Sequence, residues 1–355
     1  MKVFKKYVPI AKAVGKYAQA WMTGERMPLY VGLFITQRCN LKCIYCFPNS
    51  AQRQKEKEFS KEKIFRIIDE LHCLGTRYIT LLGGEPLMRK DFSEIVNYIV
   101  KKHIIVEVGT NGYFTKQNLE SLKKLNLVCH SIDGNKEDHD KNRGKGSYNK
   151  VIESIELCKA NGIPVQLRAV FTKNNVNSLE HLLNLAKKYK TSLGLAEQAI
   201  VKPGDSDISM TQSGLREFWK RVKCYKIKGY PIDKSFLLLD KIIEYPLEFP
   251  IEKIFAKDES LPPGYKYAKC NISQGYMFLD SNGMVYPCAC LFGKFGKSIY
   301  DPGGIKGAWD YLSENNCLFC RQSIQDLKSY FFSYDLEAIK VVVANFLKKL
   351  KWKTT

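Results

Sequence analysis

The stretch TQRCNLKCIYCFPNS, residues 36–50, places three cysteines on one loop directly after a run of apolar and β-branched residues. Cys39, Cys43 and Cys46 have the spacing Cys-x3-Cys-x2-Cys. Three thiolates on one loop can bind three irons of a 4Fe-4S cluster and leave the fourth iron open to another ligand. Structural zinc prefers four protein ligands, and the loop contains no fourth Cys or His. The triad therefore predicts an open iron-sulfur site.

Outward from this loop, short apolar runs alternate with longer segments that have helical period. Six strands alternating with five helices predict a parallel α/β sheet built from βαβ crossovers. Ser60 as N-cap and Gly75 as terminator support the first of the helices. The predicted strands are 31–36, 78–82, 104–110, 127–132, 165–172 and 192–198, and the predicted helices are 61–75, 91–102, 115–125, 148–161 and 178–189.

Further motifs follow the predicted strands at the end where parallel α/β folds bind ligands. They are Gly83-Gly84-Glu85-Pro86, Thr110-Asn111-Gly112, Ser131-Ile132-Asp133-Gly134, and His139-Asp140 with Arg143-Gly144. Together with the cysteine triad and Tyr45, these motifs resemble the radical S-adenosylmethionine (radical SAM) superfamily over residues 30–200. The resemblance implies a partial (β/α)6 TIM-like barrel. We expect the glycines at 83, 84, 112 and 134 to let a ligand approach the backbone closely.

The resemblance also implies a role for each motif. Residues 83–86 are expected to bind the methionine amino group of SAM, and Arg143 its carboxylate. Thr110, Asn111, Gly112, Ser131 and Asp133 are expected to form the pocket wall and the ribose contact. Ordinary alternatives exist for the charged residues, since Glu85 is also suited to a helix start and Arg143 to a surface salt bridge. No catalytic acid or base can be named from the sequence.

The chemistry implied by the superfamily is reductive. A one-electron-reduced cluster cleaves SAM to methionine and a 5′-deoxyadenosyl radical, which removes hydrogen from a substrate. The expected cofactors are therefore SAM and a 4Fe-4S cluster, and the expected partner is a one-electron reductant such as flavodoxin or ferredoxin. Whether SAM is consumed or regenerated stays open at the level of the sequence.

A second cysteine group lies near the C-terminus. Cys270 and Cys288 flank Asn282-Gly283, a hairpin signal between strands predicted at 276–280 and 284–286, and Cys317 and Cys320 form a Cys-x2-Cys pair. Four thiolates suit a closed iron-sulfur or zinc site. The pattern resembles the twitch module, a shortened SPASM domain that carries an auxiliary 4Fe-4S cluster. Cys290 is an alternative to Cys288, because alternation along a strand points both side chains the same way.

Charge and both chain ends bear on partners and location. The chain has 56 Lys+Arg against 36 Asp+Glu, a net charge of +20, which favours anionic partners. Ile10, Val14, Tyr17 and Trp21 recur at helical spacing, and residues 339–350 carry a similar stripe followed by lysines. Such helices pack on a domain or lie on an anionic membrane. No run approaches the roughly 18 apolar residues of a membrane span. We expect a cytoplasmic protein, with peripheral contact to the inner membrane face as the alternative.

These features predict five segments and one class of function. The segments are a basic amphipathic extension (1–28), the barrel (29–200), a helical connector (201–264) with helices at 214–227 and 236–245, a twitch/SPASM-like module (265–322) and a basic helix (323–355). The main prediction is a radical SAM enzyme of oxidoreductase or transferase type that acts on a small molecule or lipid, with the auxiliary cluster aiding oxidation or bond formation. A peptide ranks lower because residues 1–28 are too few for a separate peptide-binding domain. The alternatives are a peptide- or RNA-modifying radical SAM enzyme, and a basic nucleic-acid-binding protein with structural or redox-sensing clusters.

Overall fold

The computed structural model of the chain describes residues 2–46, 58–198, 204–250, 253–257, 259 and 269–321, without the side chains of residues 2–7 and 205. The chain divides into two compact units. Unit 1 contains residues 1–131, 149–165 and 273–314, and unit 2 contains residues 132–148, 166–272 and 315–355.

The strands and helices of the described residues are numbered in chain order. The strands are β1 Tyr30–Thr36, β2 Tyr78–Gly83, β3 Ile105–Thr110, β4 Leu127–Ser131, β5 Val165–Phe171, β6 Leu193–Glu197, β7 Ile254–Ala256, β8 Tyr276–Leu279, β9 Met284–Tyr286, β10 Lys297–Ser298 and β11 Cys317–Cys320. The α-helices are α1 Lys2–Thr23, α2 Lys61–Cys73, α3 Phe92–Lys101, α4 Leu119–Leu122, α5 Lys136–Arg143, α6 Ser147–Ala160, α7 Leu179–Lys188, α8 Gln212–Ile227, α9 Phe236–Glu244 and α10 Gly304–Tyr311.

Unit 1 is built on a mainly parallel sheet. Strands β1, β2, β3 and β4 pair in chain order and run in the same direction. All but the first residue of β1 are buried, because strands covered on both faces are apolar on both. Val31, Leu33 and Ile35 of this strand belong to a core that also includes Ile64 and Ile67 of α2. The four strands therefore end at one edge, where the cysteine loop leaves β1.

The C-terminal hairpin extends this sheet on the other side of β1. Strand β8 pairs in parallel with β1, and β9 and β10 follow in antiparallel pairing. Gly32 makes this pairing possible, since a Cβ at that position would lie 2.4 Å from a ring carbon of its partner Phe278. Residues 273–314 therefore belong to unit 1, although the sequence suggests a separate module from residue 265 onwards.

Unit 2 contains two strand pairs and several helices. Strand β5 pairs in parallel with β6 in a register that places Phe171 opposite Glu197. Strands β7 and β11 form an antiparallel pair, and the rings of Phe255 and Phe319 stack across it with centroids 4.4 Å apart. Phe218 of α8 packs on Phe171 at the end of β5.

The predicted parallel α/β class is confirmed, and most predicted elements lie within two residues of the observed ones. Ser60 caps α2 as predicted, because its side chain accepts a hydrogen bond from the amide of Lys63. The predicted helix 115–125 is instead a 3-10 turn followed by the single turn of α4. Helix α5 was not predicted, because its sequence KEDHDKNR has no apolar period. Asn135 starts it by accepting a hydrogen bond from the amide of Asp138.

The predicted terminal helices have different outcomes. Helix α1 forms as expected, but Val14 and Trp21 of its stripe are 59% and 55% exposed rather than packed. The C-terminal stripe at 339–350 lies outside the described residues. No helix in the described part of the chain is long and apolar enough to cross a membrane.

Candidate active site

The loop that carries the three cysteines is held by the end of β2. The amide of Gly84 donates to the carbonyl of Thr36 (2.9 Å), and the amide of Glu85 donates to the carbonyl of Arg38 (2.8 Å). A Cβ on Gly84 would lie 2.2 Å from the Arg38 carbonyl oxygen. A glycine is therefore needed at position 84 because the protein's own backbone occupies the space of a side chain. The sequence analysis had expected a ligand to occupy that space.

Two charged residues that the sequence analysis missed fix the same loop. The Glu58 carboxylate accepts from the Gln37 amide (2.9 Å) and the Thr36 hydroxyl (2.5 Å). The buried Arg89 guanidinium donates to the Ile35 carbonyl (2.6 Å). It also binds both oxygens of Asp91, at 2.8 and 2.6 Å. The spacing Arg-x-Asp before the predicted helix 91–102 is a sequence signal that could have indicated the pair of Arg89 and Asp91. Both residues act on the backbone from which the cysteine loop begins.

The three cysteine side chains are partly exposed and lie on one loop, in which the Cys46 amide donates to the Cys43 carbonyl (3.1 Å). Burial, with smaller contributions from the nearby Glu85 carboxylate and the other two thiols, raises the pKa of Cys39 to about 12. The Leu41 amide donates to Cys39 Sγ (3.4 Å) and opposes this shift. The Cys39 thiol is therefore protonated without metal, and binding of iron releases its proton.

This donor set fits a cluster better than a single ion. No three His, Cys, Asp or Glu side chains within the described ranges are arranged around one metal ion. A 4Fe-4S cluster places each thiolate on a different iron, so its ligands do not have to converge on one point. Cys39, Cys43 and Cys46 supply three soft ligands from one partly exposed loop, as such a cluster needs.

Glu85 lies beneath the cysteine loop and binds the end of β3. Its side chain is buried, and its carboxylate accepts from the Thr110 hydroxyl (2.9 Å), the Asn111 amide (2.7 Å) and the Leu87 amide (3.1 Å). The structure supports the helix-start reading of Glu85, since its side chain caps the 3-10 turn that begins at Pro86, and its contact with SAM stays a prediction. The structure brings Glu85, Thr110 and Asn111 together as predicted.

Asn111 connects this cluster to the cysteines. Its side-chain nitrogen donates to Asn40 Oδ1 (2.9 Å) and lies 3.9 Å from Cys39 Sγ. The next residue, Gly112, has φ +91°, and a Cβ there would lie 2.9 Å from Ser154. Like Gly84, Gly112 therefore serves the packing of the chain itself.

A buried polar chain supports the Gly112 loop from behind. His130 Nε2 lies 2.8 Å from Ser154 Oγ, which lies 2.5 Å from Thr115 Oγ1, and Thr115 donates to the Gly112 carbonyl (3.1 Å). Complete burial lowers the pKa of His130 to about 3, so the ring is neutral at physiological pH. The sequence analysis did not identify these residues, because their partners come from different elements.

In unit 2, Asp133 and Arg143 form a bidentate ion pair at 2.5 and 3.2 Å. Asp133 is fully buried and also accepts from the Val170 amide (3.1 Å). The Asp133 amide donates to Nδ1 of His139, whose burial lowers its pKa to about 4. Arg143, expected to meet a methionine carboxylate or a surface acid, is therefore engaged by a buried aspartate. Ser131, which ends β4 in unit 1, is half-buried.

Gly134 follows the same pattern as the other motif glycines. A Cβ at Gly134 would lie 2.6 Å from Ser178 Oγ. The Ser178 hydroxyl in turn donates to Asp138 (2.6 Å) and accepts from the Asn135 amide (2.9 Å). The space at this glycine is thus filled by Ser178, which binds the N-cap residue of α5, Asn135.

The cysteines of the second group belong to both units. In unit 2 the Cys270 amide donates to the Leu318 carbonyl (2.7 Å), which places Cys270 beside the strand β11 that carries Cys317 and Cys320. In unit 1 Cys288 precedes a 3-10 turn that contains Cys290, and both are partly exposed. The choice between Cys288 and Cys290 therefore stays open.

A buried ion pair missed by the sequence analysis follows Cys320. Arg321 Nε donates to Glu197 Oε1 (2.8 Å), and both side chains are at most 3% exposed. Trp219 Nε1 donates to the other carboxylate oxygen (2.8 Å). This pair connects the carboxyl end of β6 to the end of β11.

Parallel strands ending in an open cysteine loop and a buried carboxylate define a class of iron-sulfur α/β protein. Residues 33–186 match the Radical SAM superfamily. The chain therefore carries a Radical SAM domain, and the predicted recognition is confirmed. That superfamily uses a 4Fe-4S cluster and SAM, which agrees with the predicted cofactors.

Relatives of known function match about half of this chain. It is 35% identical to Fe-coproporphyrin III synthase of Methanosarcina barkeri over 160 residues, which are 44% of this chain and 40% of that protein. It is 35% identical to GTP 3′,8-cyclase of Clostridium botulinum over 178 residues, 47% of this chain and 56% of that one. It is 32% identical to mycofactocin maturase MftC of Mycolicibacterium smegmatis over 185 residues, which are 51% of this chain and 47% of that protein. The chain spans about half the length of these relatives.

Solved structures share the fold over a longer stretch. Streptococcus suis SuiB bound to precursor peptide SuiA has a TM-score of 0.63 at 18% identity, covering 88% of this chain and 73% of that one. The protein anSMEcpe with bound AdoMet has a TM-score of 0.59 at 22% identity, covering 81% of both chains. These similarities confirm the fold class and extend beyond residues 33–186.

Proposed function

We propose that this chain is a radical SAM enzyme that modifies a peptide. The observation that carries the proposal is the extent of the fold similarity. SuiB with its precursor peptide covers 88% of this chain, and anSMEcpe with the Cp18Cys peptide covers 81%. The similarity to MftC, a maturase, supports the same class of substrate. These comparisons favour a peptide over the small molecule or lipid that the sequence analysis placed first.

In this proposal the chain holds its cofactors with residues at one edge of the sheet. Cys39, Cys43 and Cys46 bind the 4Fe-4S cluster and leave one iron for SAM. When bound and reduced, the cluster supplies the electron that cleaves SAM. Glu85 keeps the Asn111 amide beside the cysteine loop through its 2.7 Å hydrogen bond. The buried carboxylate thus orients the pocket wall.

The Asp133–Arg143 pair has a different role in this proposal from the one first expected. Because Arg143 binds both oxygens of a buried carboxylate, its contribution to SAM binding is indirect. It ties the end of α5 to Asp133, and so fixes the loop expected to contact the ribose. Asp133 is a positioning residue for the same reason.

The second cysteine group would hold an auxiliary 4Fe-4S cluster through Cys270, Cys288, Cys317 and Cys320. When bound, this cluster can accept an electron from the substrate, which makes the net reaction an oxidation or a bond formation. An external reductant such as flavodoxin or ferredoxin would supply the first electron. Peripheral membrane contact stays a separate prediction.

A small-molecule reaction is the second candidate. It is supported by 35% identity to GTP 3′,8-cyclase over 178 residues, higher than the identity to MftC. That similarity covers 47% of this chain, so it bears on the SAM-binding part rather than on the whole protein.

The test compares substrate classes by the SAM that they cause to be cleaved. Reconstituted, reduced protein would be supplied with SAM and with peptides encoded near its gene, GTP or a porphyrin. A peptide should increase 5′-deoxyadenosine formation and change in mass, whereas GTP and porphyrin should do neither. The Cys43→Ala variant is the control for cluster-independent SAM breakdown. Stimulation by GTP or porphyrin alone, with a matching product, would contradict the peptide proposal.

A further inference from the structure

Gln37, two residues before Cys39, makes a buried contact with the C-terminal hairpin. Its side-chain nitrogen donates to Asp280 Oδ1 (2.6 Å) and to Ser281 Oγ (3.0 Å). Gln37 and Asp280 are 0% exposed and Ser281 is 1% exposed. The two sides of this contact are more than 240 residues apart in sequence and lie within unit 1.

Three hydrogen bonds hold the hairpin turn that contains Asp280. The Asp280 amide donates to the Met284 carbonyl (2.8 Å), and the Gly283 amide donates to the Asp280 carbonyl (2.9 Å). The Ser281 amide donates to Asp280 Oδ1 (2.7 Å), which fixes the carboxylate on its own turn. Because β8 pairs in parallel with β1, the turn leaves the sheet at the edge where the cysteine loop begins.

The Gln37 side-chain nitrogen is the donor in this contact and Asp280 Oδ1 is the acceptor, which suits a carboxylate because a carboxylate only accepts hydrogen bonds. Charge-assisted hydrogen bonds of this kind are stronger than neutral ones. Gln37 Oε1 has no hydrogen-bond partner among the described residues, so this side chain acts through its nitrogen.

We propose that Gln37 and the Asp280–Ser281 turn form a positioning contact through which the C-terminal hairpin fixes the loop of Cys39, Cys43 and Cys46. The turn lies between Cys270 and Cys288 in sequence, so a segment of the second cysteine group supports the first cluster. Gln37 and Asp280 are positioning residues, because they act through the backbone of the loop. The inference rests on the proposed cluster at the first three cysteines.

The test uses a full-length chain with Cys317→Ala and Cys320→Ala, so that bound iron reports the first cluster alone. In this background Gln37→Glu places a second carboxylate against Asp280. The repulsion should displace the loop and increase the rate of iron release to a chelator about tenfold. Gln37→Leu removes the donor without adding charge and should increase the rate less, in the same direction.

A rescue variant separates positioning from general damage. Asp280→Asn combined with Gln37→Glu leaves a single carboxylate in the contact and so removes the repulsion. Iron release should return to within about threefold of the background rate, since coupled residues are not additive. Tyr30→Phe is the matched control, because it removes a 2.9 Å hydrogen bond to the buried Glu107 at the opposite end of β1. It should leave iron release unchanged even if it lowers stability.

A second readout is the electron paramagnetic resonance signal of the reduced cluster. Addition of SAM should change this signal in the background chain and in the rescue variant, but less in Gln37→Glu. Unchanged iron release in both Gln37 variants, or no recovery in the rescue variant, would overturn the inference alone. Absence of iron from the background chain itself would overturn the proposed first cluster and this inference together.

Discussion

At the scale of single residues, buried charges at the carboxyl ends of the strands have partners within the protein. Glu85 accepts three hydrogen bonds, and Asp133 forms a bidentate ion pair with the Arg143 guanidinium. A buried carboxylate without such donors would be strongly destabilising. Their internal partners suggest that both residues shape the site before any ligand is present.

The role of Arg143 can be tested by replacing it. Arg143→Ala leaves the fully buried Asp133 without its guanidinium, which should reduce the free energy of unfolding by about 3–5 kcal/mol. Arg143→Lys keeps the charge but not the bidentate geometry, and should lie between the parent and Arg143→Ala. Urea unfolding of the metal-free chain, followed by circular dichroism, measures the change.

The double variant Asp133→Asn with Arg143→Ala provides the control. Removal of both charges should cost less than the sum of the single changes, because no unpaired charge stays buried. A decrease below about 1 kcal/mol in Arg143→Ala, with weaker SAM binding, would return Arg143 to the ligand role that the resemblance implies.

Which residues could be found from the sequence follows from where their partners lie. The cysteines, Glu85 and Asn111 stand in short motifs that carry their own signal. Glu58, Gln37 and Arg321 bind residues 21 to 243 positions away, and no local pattern records such contacts. The motif glycines were identified from the sequence. The reason why a side chain does not fit at these positions is close contact within the chain, which only coordinates can show.

At the scale of elements, the strands were the most predictable part of the fold. Strands buried on both faces read as continuous apolar runs, so their bounds could be read directly. The pairing partner of a strand could not be predicted in the same way, since nothing in the sequence indicated that β8 pairs with β1. Helix α5 was missed for the opposite reason, because it is polar on all sides and depends on its cap.

The contact between the ends of β1 and β2 gives the next prediction. Gly84→Ala would place a Cβ 2.2 Å from a backbone carbonyl oxygen, which cannot move without shifting the cysteine loop. We expect a loss of about 1–3 kcal/mol in stability and less bound iron after reconstitution. Thermal unfolding of the metal-free chain and iron analysis measure the two effects.

Gly109→Ala is the matched control on the neighbouring strand β3. A Cβ at Gly109 would meet only Leu82 Cδ2 at 3.7 Å, an ordinary contact. This variant should retain parental stability and iron content. Equal behaviour of the two alanine variants would show that the loop does not depend on close approach at Gly84.

At the scale of the whole molecule, the division into two compact units falls within the cysteine-rich region. Residues 273–314 belong to unit 1, and residues from 315 onwards belong to unit 2. The four predicted auxiliary ligands are therefore distributed over both units, with Cys288 in the first and the other three in the second. A sequence shows the spacing of such ligands but not the compact unit to which each belongs.

The number of irons per chain tests the whole arrangement, and alanine variants identify the ligands. Two 4Fe-4S clusters predict about eight irons per reconstituted chain, and replacement of Cys39, Cys43 and Cys46 should leave about four.

Cys288→Ala and Cys290→Ala form a matched pair, because both side chains are partly exposed and only two positions apart. The ligand variant should lose about four irons, whereas the other variant should keep about eight. Iron and acid-labile sulfide analysis measures these values. About four irons in the parent chain together with one zinc would show that the second group is a zinc site, since four thiolates also suit that metal.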